Sequence, residues 1–436
     1  MTLVLAPSCA NSRGVEGVAT QIEQRTGHAS NFERRPDQQA EVPPGVEVAD
    51  GLSGEEAAAI ALWNNPRLRV DLARLQAAEA EQKAARRPSN PTLRFLLPAG
   101  PQQFSLLLTW PLEAFLTMPR RTKIARLNAH AVAEAVVQTS LDLTRDTRLV
   151  HVDWVLSHDR LEVRRQLAGN LEEVAKIGQA RAAAGDVPQR DADAANGDAL
   201  VAADEVARAE ADTAIARTRL QALMGWKLPD GVSPTEGEPK LTPTTPPADL
   251  EALALASRPD LRSAQLAIEA TGARIGLEKW AVLNLTGVGF AQGNAGGPTG
   301  VTGGPEVVLP IFDQNQAGIS RARAQLEAST WRYHDLRTQI VAEVAEVVLR
   351  WRQAQRSLDA YGETIVAVRQ RELEASTAQF ERGDQNYVPV LVAAARLEAA
   401  KLREAELRAD LRRSEILLER AVGRRLPAQG RGEVSR

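Results

Sequence analysis

Residues 340–368 read IVAEVAEVVLRWRQAQRSLDAYGETIVAV. From Ile340, the apolar positions Val344, Val347, Trp351, Ala354, Leu358, Tyr361, Ile365 and Val368 follow at alternating steps of four and three. That spacing is a heptad seam, which keeps one stripe of a helix turned toward a supercoiled neighbour. A weaker version runs through Leu143, Val150, Trp154, Leu161 and Leu171. If the helix opens at Pro119 and runs to Ala184, it spans roughly 100 Å at 1.5 Å per residue. After Gly185-Asp186, and again after Gly383-Asp384, a second helical stretch runs back to Gly225 or Gly423. Two long antiparallel helical hairpins are therefore expected, the second opening near Gly318.

The hairpins belong to a plan written twice. Asn65-Pro66 with Leu68 returns as Arg258-Pro259 with Leu261, and Trp110-Pro111-Leu112 as Leu309-Pro310-Ile311. Trp154 returns as Trp351, Gly185 as Gly383 and Gly225 as Gly423. An offset of roughly 195 residues is too long for a solenoid repeat, so residues 52–226 and 249–423 are read as two copies of one module. Residues 1–51 precede them, with 10–50 read as a loosely ordered arm. A Pro-rich linker, 227–248, lies between the copies, and a tail, 424–436, follows. Ser53 and Glu56 form a capping box at the first helix. Residues 66–88 continue as a helix through Leu72 and Leu75 until Pro88 and Pro91 stop it. Asp249 is expected to cap the corresponding helix of the second copy, whose following helix carries Leu261, Ile268 and Ile275.

Between the shorter and longer helices of each copy lies the β-sequence. Phe104, Leu106, Leu108 and Trp110 alternate with Ser105, Leu107 and Thr109, and Thr92–Leu97 precedes a Pro98-Ala99-Gly100-Pro101 turn. In the second copy, 283–292 and 301–311 flank a glycine-rich loop. Strands of about 9–11 residues suit a tilted crossing of an outer membrane. Four strands cannot close, and an open edge is not tolerated in lipid. Several chains would then have to complete one barrel. The same pattern also fits two ordinary hairpins packed on helices in a soluble coiled-coil scaffold. The fold class expected is mainly α with a small β part.

Composition supports long helices: 44% hydrophobic, 25% charged and only 4% aromatic. A net charge of −3 gives no basic footprint for nucleic acid. No window approaches the ~18 consecutive apolar residues of a spanning helix. The chain carries no Walker-type Gly-x-x-x-x-Gly-Lys, no His-Glu-x-x-His and no Gly-x-Ser-x-Gly. No enzyme activity, cofactor or metal is therefore expected. His151 and His158 lie two turns apart without ligand partners. The single cysteine, Cys9, excludes internal disulfides. It follows Leu3-Val4-Leu5-Ala6-Pro7-Ser8, the form of a bacterial lipoprotein signal ending at a lipidated cysteine. The apolar part is short and unpreceded by Lys or Arg, so translation is expected to start upstream; an incidental exposed cysteine is the other reading.

On the doubled Pro-x-Leu openings, Arg258-Pro259-Asp260-Leu261-Arg262, Leu309-Pro310-Ile311-Phe312-Asp313 and Phe380-x-x-Gly383 with Val390-Leu391, the chain resembles the TolC-type outer membrane factors over residues 52–423. Gly185-Asp186-Val187-Pro188 looks most like the cation-efflux branch. The resemblance implies a homotrimer whose four strands per chain form one twelve-stranded barrel in outer-membrane lipid, continued by a helical tunnel through the periplasm. It also implies a periplasmic adaptor and an inner-membrane pump such as an RND or ABC transporter, serving efflux or type I secretion. Ala184, Gly185, Asp186, Arg382, Gly383 and Asp384 would form the adaptor-facing tips. Asp191 would stand at the entrance constriction, unless it is simply a solvated helix carboxylate, since Pro389 and Val392 offer no second acidic ring. Arg120 and Arg121 would mark the junction of barrel and tunnel, where the second copy has Ile319 and Ser320.

Overall fold

The computed structural model describes residues 14–32, 35, 37–96, 102–236, 247–294 and 297–426. Cys9, Leu97 and the turn 98–101 lie outside these residues. The chain divides into two compact units, and both copies of the repeat contribute to each. One takes in residues through Gln21, Arg69–Gln138 and Arg258–Gln339. The other holds Ile22–Leu68, Thr139–Ser257 and the chain from Ile340 onward.

The first unit contains a four-stranded antiparallel sheet of β1 (Thr92–Leu96), β2 (Gln102–Pro111), β3 (Asn284–Asn294) and β4 (Gly300–Val308). The strands lie side by side in chain order, so the central pairing, β2 with β3, joins the two copies. Leu107 lies opposite Arg94 on one side and Phe290 on the other. β4 stops at Val308, short of the expected Ile311, opposite Asn284, the first residue of its partner β3. Beside the sheet, Leu127 packs on Leu266 and Ala270. These belong to α4 (Glu113–Ala183) and α7 (Pro259–Trp280). α3 (Pro66–Ala85) ends three residues before Pro88.

The two long helices start earlier than their punctuation suggests. α4 begins at Glu113 and carries Pro119 in its second turn, where only the acceptor in the preceding turn loses a donor. α8 (Gln316–Glu381) likewise starts before Gly318. α5 (Gln189–Met224), α9 (Val388–Val422) and the parts of α4 and α8 from Thr139 and Ile340 onward form the body of the second unit. Arg165 pairs with Glu210 at 2.8 Å, Arg413 with Asp153 at 2.6 Å, and Arg396 with Glu372 at 2.7 Å. Those contacts set the order α5–α4–α9–α8. The seam opening the sequence is buried from Ile340 through Ala354, whereas Val368 is exposed. On α5 the seam is made of alanine: Ala195, Ala202, Ala209 and Ala216 recur every seven residues and are buried. A search for large apolar residues passes over that periodicity.

Shorter elements surround this body. α2 (Gly54–Asn64) starts at the Ser53–Glu56 capping box. α6 begins at Pro247, so Asp249 sits inside its first turn and is not the cap. The stretch 10–50 is not simply a loose arm: Gly14–Thr26 is a helix, α1, with Val18 and Ile22 fully buried. Its Arg25 donates to the carbonyls of Ser257 and, at 3.0 Å, Gly423, the ends of α6 and α9. A cation there satisfies orphan acceptors and opposes the negative helix ends. The Pro-rich stretch also starts packed: Leu228 is buried with Trp154 and Leu220. Leu52 exchanges backbone hydrogen bonds with Ser233 and Thr235 at 3.0 and 2.9 Å.

Candidate functional site

The sheet's registers sort its side chains into two faces, because residues directly opposite across antiparallel strands point the same way. One face carries Leu93, Phe95, Phe104, Leu106, Leu108 and Trp110 on the first hairpin. On the second hairpin it carries Leu285, Gly287, Gly289, Ala291 and Gly293, then Val301, Gly303, Pro305 and Val307. None of these side chains is charged or hydrogen-bonding, apart from the indole N–H of Trp110. The other face is mixed: Thr92, Arg94, Ser105, Thr109, Thr286, Gln292, Thr302 and Glu306 stand among Leu96, Leu107, Val288 and Phe290.

The apolar face is open to its surroundings, with Leu93 65% and Val301 79% exposed. Glycine needs a reason in β3, and one is visible at Gly293: a β-carbon there would lie 2.3 Å from the ring of Phe104, which covers the bare backbone. Among the described residues, β1 and β4 each pair on one side only, and every residue of both is exposed. A sheet with one continuous apolar face and two unsatisfied edges is not a finished surface in water or in lipid. Among the described residues, no helix is long and apolar enough to cross a membrane.

Within the second unit, the hairpin tips are built alike. Gly185 and Gly383 both adopt φ +84°. Asp186 N–H reaches Arg181 O at 2.9 Å and Gly185 N–H reaches Ala182 O at 3.0 Å. Asp384 N–H reaches Gln379 O, and Gly383 N–H reaches Phe380 O, both at 3.0 Å. Each is a Schellman motif, which closes the last carbonyls of a helix and requires a left-handed residue that glycine supplies without strain. Ala184 N–H continues the helix to Ala180 O, and Arg382 pairs with Asp384 at 3.2 Å on the surface.

The tips are tied together by residues that spacing alone did not single out. Arg181 donates to Phe380 O at 2.9 Å and lies over the Phe380 ring at 5.2 Å. Phe380 meets Tyr387 edge-on, and the Tyr387 hydroxyl donates to Asp198 at 3.1 Å. Burial first, and then the charge of Asp198, push the Tyr387 phenol above its ordinary range. Phe380 and Tyr387 belong to a buried cluster with Leu171, Val174, Ala195 and Val390, drawn from α4, α5, α8 and the start of α9. The signal in the sequence was the pair of aromatics bracketing Gly383. Asp191, in the first turn of α5, is partly exposed and bonded to the neighbouring Arg190 at 3.1 Å.

Arg120 lies in the first unit with its guanidinium 4.8 Å from the ring centre of Trp280, and Arg121 follows it on α4. His151 is buried, its Nε2 2.7 Å from Leu52 O and its ring edge-on to Trp154. Burial lowers its pKa despite that bond, so the imidazole is a neutral clamp on the strand-like residue Leu52. Among the described residues, no three His, Cys, Asp or Glu side chains gather as they would around a metal.

The family model of outer membrane efflux proteins matches residues 58–226 and 250–424. The cobalt-zinc-cadmium resistance protein CzcC of Cupriavidus metallidurans is 24% identical over 389 residues, 87% of this chain and 91% of that protein. The cation efflux system protein CusC of Escherichia coli K12 is 24% identical over 340 residues, 74% of each chain. Among solved structures, CusC superposes with a TM-score of 0.72 at 20% identity, covering 90% of this chain and 99% of its own. The Campylobacter jejuni CmeC outer membrane channel gives 0.71 at 14% identity, with 90% and 94% covered.

Proposed function

The chain belongs to the outer membrane efflux protein family, and from that premise we propose that it is a passive exit duct, the outermost segment of a tripartite efflux assembly. The observation that carries this reading is the sheet, whose wholly apolar face ends at two unpaired edges. Closure in lipid takes about eight strands or more, and three chains of four strands supply twelve. The apolar face then meets hydrocarbon, and the face bearing Arg94 and Glu306 lines water. The long hairpins extend the duct into the periplasm.

The tips at Ala184-Gly185-Asp186 and Arg382-Gly383-Asp384 are proposed to dock a periplasmic adaptor, which couples the duct to an inner-membrane pump of the RND or ABC type. Conduction is passive, because the sequence carries no nucleotide-binding motif and the pump supplies the driving force. Asp191 from three chains would gather at the periplasmic entrance and favour cations. Its bond to Arg190 weakens that field and fits a mild selectivity rather than a strong acidic gate. The names of the CzcC and CusC relatives support a metal cation as cargo. Cys9 is proposed as the lipid anchor of the mature chain.

Purification in detergent, mass measurement and conductance in planar bilayers test the reading together. A detergent-dependent trimer that conducts ions is expected. A monomer that stays monodisperse without detergent and conducts nothing would instead make the chain a soluble coiled-coil scaffold.

A further inference from the structure

The apolar face of the sheet continues past the end of β2. Trp110 lies on that face, and its ring meets Phe115, in the first turn of α4, edge-on at 5.7 Å. Phe115, Pro119 and Lys123 follow at four-residue steps, share one stripe of the helix and are all exposed. Beside the stripe, the Arg120 guanidinium lies over the Trp280 ring, 4.8 Å from its centre.

Along two helical turns, then, the surface passes from aliphatic side chains to aromatic rings to cations. That is the order met on leaving hydrocarbon for headgroups, with rings at the boundary and cationic tips beyond it. Arg120 lies about 7 Å along the helix from Phe115 at 1.5 Å per residue. A headgroup layer is roughly 5–8 Å thick on each side of the core. The second copy repeats the order at the exit of β4. Leu309 and Phe312 are 71% and 94% exposed, and the exposed Arg321 and Arg323 follow in α8. Rings so exposed need a covering that water does not provide.

We infer that this collar seats glycerophospholipids of the leaflet on the helical side of the membrane. Arg120 and Lys123 bind the phosphate of an anionic headgroup, and the acyl chains lie along Trp110 and Phe115. The planar guanidinium, held in place by the Trp280 ring, presents its fork to phosphate oxygens at little entropic cost. The inference rests on the membrane placement proposed above.

The test uses native mass spectrometry of the detergent-purified trimer titrated with phosphatidylglycerol, phosphatidylethanolamine or inorganic phosphate. The wild type is expected to retain phosphatidylglycerol in preference to the zwitterionic lipid. The double variant Arg120→Gln/Lys123→Gln is expected to bind it about thirtyfold more weakly, at roughly fivefold per cation near a membrane surface. Arg120→Lys/Lys123→Arg, which keeps both charges but gives up the fork at position 120, is expected to bind more weakly than the wild type and more tightly than the double Gln variant. Equal retention by the double variant overturns the inference, as does inorganic phosphate that binds as tightly as the lipid. Should the double variant fail to trimerise, Lys123→Gln alone is expected to show the fivefold loss, and an unchanged affinity is equally fatal. Conductance of the wild-type trimer in phosphatidylcholine bilayers tests the barrel by itself, so the duct can stand while the lipid site falls.

Discussion

Placing one arginine at Leu106 or at its neighbour Leu107 separates a membrane wall from a soluble sheet. β2 has ten residues, about 34 Å of strand, which at a tilt near 45° rises roughly 24 Å, the height of an outer-membrane apolar band. Leu106 and Leu107 are at its middle. Leu106 shares the apolar face with Phe95 and Ala291, whereas Leu107 shares the mixed face with Arg94 and Phe290. A lipid-facing arginine at the midplane costs about 2–4 kcal/mol, so three in a trimer cost on the order of 6–12 kcal/mol. At Leu107 the arginine faces water, and the like charge of Arg94 across the strand costs only about 0.2–1 kcal/mol per chain. Leu106→Arg should therefore abolish heat-modifiable trimers in outer-membrane fractions, while Leu107→Arg assembles. The assay is semi-native electrophoresis of membrane extracts, with the variants expressed at equal levels. If both variants assemble equally, or if Leu107→Arg is the worse, the assignment of faces is wrong.

Glu55 accepts from His28 at 3.0 Å and pairs with Arg148 and Arg425 at 3.3 and 3.0 Å. Burial opposes its charge, yet His28 and the two guanidiniums outweigh burial and hold its pKa down at about 2. Because the folded pKa is depressed, the stabilisation is complete above the ordinary value of 4.5 and disappears as pH falls toward 2. Glu55→Gln should cost at most about 3 kcal/mol at pH 7, seen as a lower melting temperature by circular dichroism. A gap that stays constant down to pH 2 would show that this charge is not its source. Gly185→Val and Gly383→Val force φ +84° on a branched residue, at about 1–2 kcal/mol each. Amide exchange at Asp186 and Asp384 should quicken about tenfold and export should fall with trimers intact; normal export would remove the docking role of the tips. Trp154→Ala empties a site buried among Leu52, Ile60 and Leu220 and should cost about 3–5 kcal/mol in a denaturant titration. A loss below 1 kcal/mol would mean the Trp154 site is not the packed core described.

Periodicity and punctuation carry what can be read one residue after another. The heptad seam from Ile340, the alternation through Trp110, the capping box at Ser53 and the glycines at 185 and 383 are local rules. Each is set by sterics within a few residues, so the helices, strands and tips were legible in order. The start of α4 was missed because a proline in an early helical turn does not end a helix, and that of α8 because a glycine such as Gly318 costs a helix only about 1 kcal/mol. α1 was missed because its order comes from Arg25 reaching the ends of α6 and α9, far away in the sequence. Only the tertiary structure decided that β2 pairs with β3 across the two copies, and hence which side chains share a face. It likewise brought Arg181 to Phe380, Tyr387 to Asp198 and Arg120 to Trp280. Those pairings join residues of separate elements, where contact depends on helix order and strand register. Neither quantity is written in a run of neighbouring residues; both follow from how buried faces fit once the chain has folded.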